Sequence, residues 1–113
     1  MEKWLFVVRT NCTDESREDE FNKWYDEVHI ADIMATPGFV KADRYVSGEL
    51  SSYGAGRYLA IYEIETDDIG KTMKTLSEKI YEAFKAGRTS PLIRPVSFDV
   101  FKPISSIASR AKA

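Results

Sequence analysis

One cysteine, one histidine, four prolines and six glycines among 113 residues already narrow what this chain can be. A lone Cys12 forms no internal disulfide, and with only His29 beside it the chain cannot assemble a structural zinc site. Glycine and proline are too sparse for a collagen-like or low-complexity segment. Neither sign of charge dominates: 16 Lys and Arg stand against 18 Asp and Glu, a net charge of −2, and the signs are interspersed. No basic stripe exists to follow a phosphate backbone or an anionic surface, so neither nucleic acid nor a membrane is expected as a partner. The longest apolar runs, such as Trp4 to Val8, fall far short of the ~20 residues that span a bilayer. No signal-peptide core follows Met1-Glu2-Lys3, and a cytoplasmic location is expected. What the chain does have is 43% hydrophobic and 12% aromatic residues, the composition of one globular domain. Chemistry then has to come from single side chains, a bound organic molecule, or a site shared between copies.

Hydrophobic periodicity orders the elements. Lys3 to Thr10 is rich in β-branched and aromatic residues, apolar on both faces, and predicts a strand. Thr13 is a suitable N-cap for a helix whose first turns carry Asp14, Glu15, Glu18 and Asp19, where acidic groups favour the helix dipole. Phe21, Trp24, Tyr25 and Val28 follow helical spacing and give this helix one aromatic stripe. Pro37 and Gly38 stop it by Thr36. Phe39 to Ser47 alternates, placing Val40, Ala42, Arg44 and Val46 on one side and Phe39, Lys41, Asp43 and Tyr45 on the other. Gly48 to Gly56 reads as a long hairpin loop, and Arg57 to Glu65 as the next strand. Thr66-Asp67-Asp68 opens a second helix, with Ile69, Met73, Leu76, Ile80, Ala83 and Phe84 at helical spacing up to Gly87. Val96 to Lys102 is a short last strand. One domain is expected over 1–104, with 105–113 a flexible tail.

The order β-α-β-β-α-β is the ferredoxin-like split βαβ arrangement, an α+β fold with a four-stranded antiparallel sheet and two helices on one face. Two helices cover only one face. The other keeps large side chains, including Tyr45 and either the Tyr58/Tyr62 or the Leu59/Ile61 row. A second copy of the sheet is the economical cover, so a face-to-face homodimer enclosing a barrel is expected.

The stretch Trp24-Tyr25-Asp26-Glu27-Val28-His29-Ile30-Ala31-Asp32-Ile33, followed by Pro37-Gly38-Phe39 and Arg44-Tyr45, resembles the EthD-like branch of the dimeric α+β barrel superfamily. The match is densest over 21–46, and the element order agrees over roughly the whole chain. Ala31 stands where the family often has proline, which leaves the helix free to continue past His29. The resemblance implies a hydrophobic small-molecule ligand held between the sheet and its helices or in the barrel mouth, near the end of the first helix. The superfamily includes cofactor-free monooxygenases, isomerases, polyketide cyclases and haem-degrading enzymes, among which fold alone does not choose.

His29 is the only side chain whose ordinary pKa lies near neutrality, and it stands one turn beyond Tyr25. Asp32 lies three residues on, where a carboxylate can orient an imidazole for general acid-base work. The alternative is a helix-end histidine that caps carbonyls and meets the helix dipole. Trp24, Tyr25, Tyr45 and Tyr62 suit a pocket for an aromatic ligand, and equally suit a core. Asp43, if it faces the barrel interior, needs a partner such as Lys41 or Arg57. Arg88 and Arg94 bracket a loop with Thr89 and Ser90 and together could hold a carboxylate or phosphate, against the plainer reading of a solvated loop. Gly54-Ala55-Gly56 lacks the spacing of a dinucleotide-binding loop. The leading expectation is a cofactor-free enzyme that moves a proton α to a carbonyl of an aromatic or polyketide-like compound, with His29 as acid or base and Asp32 orienting it. Its alternatives are a non-catalytic ligand-binding accessory protein of a catabolic pathway, and a haem protein or cofactor-free monooxygenase using the same pocket.

Overall fold

The β-branched and aromatic run at the start of the chain becomes β1 (Glu2–Cys12), which has strand partners on both sides. The computed structural model describes residues 1–48 and 56–111. With β2 (Phe39–Val46), β3 (Tyr58–Thr66) and β4 (Ile93–Phe101), β1 forms a four-stranded antiparallel sheet in the order β2-β3-β1-β4. That order and the two helical segments on one face make the ferredoxin-like α+β fold.

Alternation decides what each face carries. Trp4, Phe6, Val8 and Thr10 of β1 oppose Ile64, Tyr62, Ala60 and Tyr58 of β3, and these rows face the helices. All but Trp4 are buried there. The opposite face takes Leu5, Val7, Leu59 and Ile61, half-buried, with Tyr45 and Phe101 about half exposed. The tyrosine row is thus the inner one, and the Leu/Ile row is the outer one. Lys41 and Asp43 meet at 3.4 Å on this outer face, supplying the partner that Asp43 needs. Strict alternation would place Phe39 there as well. A register shift between Phe39 and Lys41 instead turns Phe39 inward, opposite Ile64, ahead of Ala42, Arg44 and Val46.

The first helical run is capped by Asp14 rather than Thr13: Ser16 N donates to Asp14 Oδ1 at 3.0 Å. Thr13 instead donates its hydroxyl to the Pro91 carbonyl. A 3₁₀ turn (Glu15–Arg17), α1 (Glu18–Trp24), a π turn (Tyr25–His29) and α2 (Ile30–Met34) follow without a break. The run passes through Ala31 and ends where Pro37 and Gly38 require. Gly38 has φ +99°, and a Cβ there would stand 3.1 Å from the Glu65 carbonyl, so only glycine lets the chain turn this close to β3.

Asp68 caps α3 (Ile69–Lys85) by accepting from Lys71 N at 3.0 Å. Only Thr72 and Leu76 of α3 are fully buried. Ile80 and Phe84, placed on the buried stripe by their spacing, are 38% and 65% exposed. The second half of α3 therefore stands away from the sheet. β4 is longer than its apolar run suggests, because it is an edge strand and admits Pro95 at a register shift opposite Thr10. Residues 102–111 form no helix or strand. Residues 49–55, most of the expected hairpin loop and part of Gly54-Ala55-Gly56, lie outside the described residues, as do 112–113 of the tail. Among the described residues no helix is long and apolar enough to cross a membrane.

Candidate functional site

Where α3 leaves the sheet, a cavity of ≈ 390 Å³ opens between it, the first helical run and the β1/β4 half of the sheet. Phe6, Val8, Ile33, Met73, Leu76 and Phe98 supply its apolar walls. His29, Asp32, Arg88 and Thr89 bring a cluster of polar groups to the same space. A mostly apolar cavity with a few convergent polar groups is the usual form of a small-molecule site.

The π turn positions the imidazole. In an α-helix, residues five apart are rotated by about 140° and cannot touch face to face. A π turn takes one more residue per turn and brings them onto one side. Trp24 and His29 accordingly stack, ring centroids 4.8 Å apart and planes 22° from parallel. Tyr25 meets the same imidazole edge-on at 4.8 Å. This aromatic setting strips water from His29 and lowers its pKa to about 4, against the pull of the Asp32 charge in the other direction. Arg44 lowers it further. The imidazole is neutral at pH 7, and its nitrogens have no hydrogen-bond partner among the described residues.

Asp32 lines the cavity as well, but its bonds do not go to His29. Arg88 donates from Nε to both carboxylate oxygens, at 3.1 and 2.9 Å, and Nη2 lies 2.9 Å from Oδ1. The planar guanidinium matches a carboxylate edge, which an imidazole does not. Asp32 therefore acts on His29 through its charge alone. The loop carrying Arg88 is also held through its backbone, since Trp24 Nε1 donates to the Arg88 carbonyl at 2.8 Å. Arg88 is thus no freely solvated loop residue. It lies 56 positions from Asp32, and nothing local in the sequence announces the pairing.

The remaining predicted residues divide by distance from the cavity. Trp24 and Tyr25 touch His29 without lining the space. Tyr62 lies deeper, fully buried. The Tyr25 and Tyr62 hydroxyls are close enough to shift one another's ionisation, yet neither completes a well-formed hydrogen bond. Burial is the main cause that holds both phenols protonated, well above the ordinary tyrosine range for Tyr62. Tyr45 is on the outer face, opposite Leu59, and does not share this cavity.

Arg44 organises the neighbouring end of the helical run. Its guanidinium lies 4.1 Å from the Tyr25 ring centre, donates to Asn22 Oδ1 at 2.8 Å and meets Asp26 Oδ1 at 3.0 Å. Among the described residues no group of three His, Cys, Asp or Glu side chains is arranged to hold a metal ion.

With this geometry in hand, comparison with solved structures places the fold. The cofactor-independent oxygenase SnoaB from Streptomyces nogalater is similar with a TM-score of 0.69 and 14% identity, over 96% of this chain and 100% of that one. An ethyl tert-butyl ether d (EthD) family protein from Bacillus halodurans is similar with a TM-score of 0.60 and 13% identity, over 92% and 100%. The haem degrader MhuD from Mycobacterium tuberculosis, solved with two haems in its active site, is similar with a TM-score of 0.59 and 16% identity, over 93% and 99%. At such identities the likeness shows the fold. It bears out the ferredoxin-like α+β fold, and the EthD resemblance is supported at the level of that fold alone. No curated protein matches the chain. A family model does match, over residues 3–86, and by it the chain belongs to the domain of unknown function DUF4286.

Proposed function

We propose that this protein is a cofactor-free enzyme acting on a flat, hydrophobic carbonyl compound of aromatic or polyketide type. The observation that carries this reading is a neutral imidazole facing an apolar cavity large enough for a small organic molecule. At pH 7 such an imidazole offers a lone pair and lacks the acidic second proton of an imidazolium, so His29 acts as the base. It takes a proton α to the carbonyl, and isomerisation, cyclisation or elimination follows from the resulting enolate. The Trp24 and Tyr25 rings fix the imidazole plane, and the Asp32 charge stabilises the imidazolium that forms. The likeness to SnoaB and MhuD supports small-molecule chemistry on this fold.

The outer sheet face completes the reading. Leu5, Val7, Leu59, Ile61, Tyr45 and Phe101 form an apolar surface that a second copy covers, giving a homodimer. Sedimentation at micromolar concentration shows a dimer on this reading, and a stable monomer would count against it.

Aromatic ketones, phenols and lactones are expected to raise the melting temperature by binding the native state, and to be turned over. Binding without turnover favours an accessory protein. A Soret band in the purified protein would instead favour haem, with the neutral His29 as the imidazole available to its iron. No shift with any of them defeats the pocket reading.

A further inference from the structure

Resting on the reading above, the unused donors of the cavity extend it. Arg88 spends Nε and Nη2 on Asp32, while Nη1 has no partner among the described residues. The Asp32–Arg88 pair also forms part of the wall between the main cavity and a shallower depression of ≈ 250 Å³, since both residues line each. A salt bridge whose two members both face a reaction space, one of them with free N–H groups, is more than a surface strut.

We infer that Arg88 is the oxygen-binding residue of this site, and that the Asp32–Arg88 pair supplies one counter-ion to each charge created by proton abstraction. The C–H bond α to the carbonyl breaks, and its electron pair forms the carbon–carbon double bond of an enolate. The carbonyl π pair moves onto oxygen, and the proton goes to a nitrogen of His29. A neutral cavity then holds one imidazolium and one enolate oxygen. Separating charge beside apolar walls is costly unless each charge meets an opposite one already in place. The Asp32 carboxylate meets the imidazolium, and the Arg88 Nη1 hydrogens meet the oxygen. Loop anchoring holds the fork there, because Trp24 grips the Arg88 backbone and Asp32 its side chain. The substrate class follows: a neutral carbonyl compound rather than a free acid, because Asp32 already neutralises Arg88.

The test uses 4-nitrophenol, whose phenolate mimics an enolate and absorbs differently from the phenol, and 4-nitroanisole, which cannot ionise. Wild-type protein is expected to bind both and to lower the pKa of bound nitrophenol, raising its phenolate-to-phenol ratio about tenfold over water at equal pH. Arg88→Gln should keep anisole binding and lose that enrichment. It leaves the backbone bond from Trp24 in place, and thermal melting checks that it folds. Asp32→Asn removes the negative neighbour and should push the bound phenol further towards phenolate, an independent check should Arg88→Gln fail to fold. Anisole binding with no phenolate enrichment in wild type, enrichment that survives Arg88→Gln, or a fall in enrichment in Asp32→Asn overturns the inference and leaves the pocket reading standing. If neither probe binds, the pocket reading fails and this inference falls with it.

Discussion

Two arginines reach the same helical run from opposite ends, and they are used differently. Arg44, from β2, has a side chain only 14% exposed, donates to Asn22 and Asp26, and lies over the Tyr25 ring. Its charge is matched, much of its fork is occupied, and its apolar stem is packed. Arg88, from the loop after α3, is 47% exposed, lines a cavity and pairs with one carboxylate, and its Nη1 has no partner among the described residues. The first arrangement holds helix to sheet. The second leaves binding capacity in reserve. An arginine's role is thus read from the donors it has left and the space they face, more than from the salt bridge it makes.

The contrast breaks most sharply at His29, which serves the Arg88 end. His29→Ala is expected to lower turnover of an aromatic carbonyl substrate by roughly two to four orders of magnitude while the fold persists, the usual share of acid-base catalysis. Asp32→Asn should cost less, since it leaves the imidazole in place. A helix cap would show the opposite balance, with an earlier melt and intact turnover.

Proton linkage sharpens the same end. The folded pKa of His29, about 4, lies below its ordinary 6.5, so the unfolded chain binds more protons between those values. Stability is therefore expected to be full above pH 6.5 and to fall as pH drops towards 4, by up to ~3 kcal/mol from this group. Denaturant melts of wild type and His29→Gln across that window should differ in slope, and equal slopes would remove the buried-imidazole picture. Turnover should likewise stay level down to about pH 5 and fall near pH 4, with no break at 6.5.

The two arginines can then be compared directly. Arg44→Met should lower stability by about 2–3 kcal/mol, because Asn22 loses its partner and the Tyr25 ring its cation. Arg88→Gln should cost under ~1 kcal/mol, as exposed pairs do. Urea midpoints test both, and a larger loss at Arg88 would reverse their assignment.

The sequence alone carried the element order, the helix stop at Pro37-Gly38, a second helix start within Thr66-Asp67-Asp68 and the antiparallel α+β class, because these follow from local spacing, capping and turn chemistry. It also singled out His29, the only imidazole, and Asp32 one turn later. What it missed depends on register and on distance along the chain. One inserted residue turned Phe39 inward, and one widened turn brought Trp24 against His29; neither changes local composition. Periodicity placed Phe84 on a buried stripe, but only the path of α3 over the sheet leaves it in solvent and a cavity beneath. Alternation could not say which row of β3 faces the helices, so Tyr45 and Tyr62, grouped by residue type, ended on opposite faces. Asp32 and His29 are neighbours in sequence and share a cavity, yet the carboxylate's bonds go to Arg88, 56 residues away. Local physics determines which segments form and which side chains are able to do chemistry. Which of them meet is decided by packing, where a planar fork outcompetes a ring for two carboxylate oxygens.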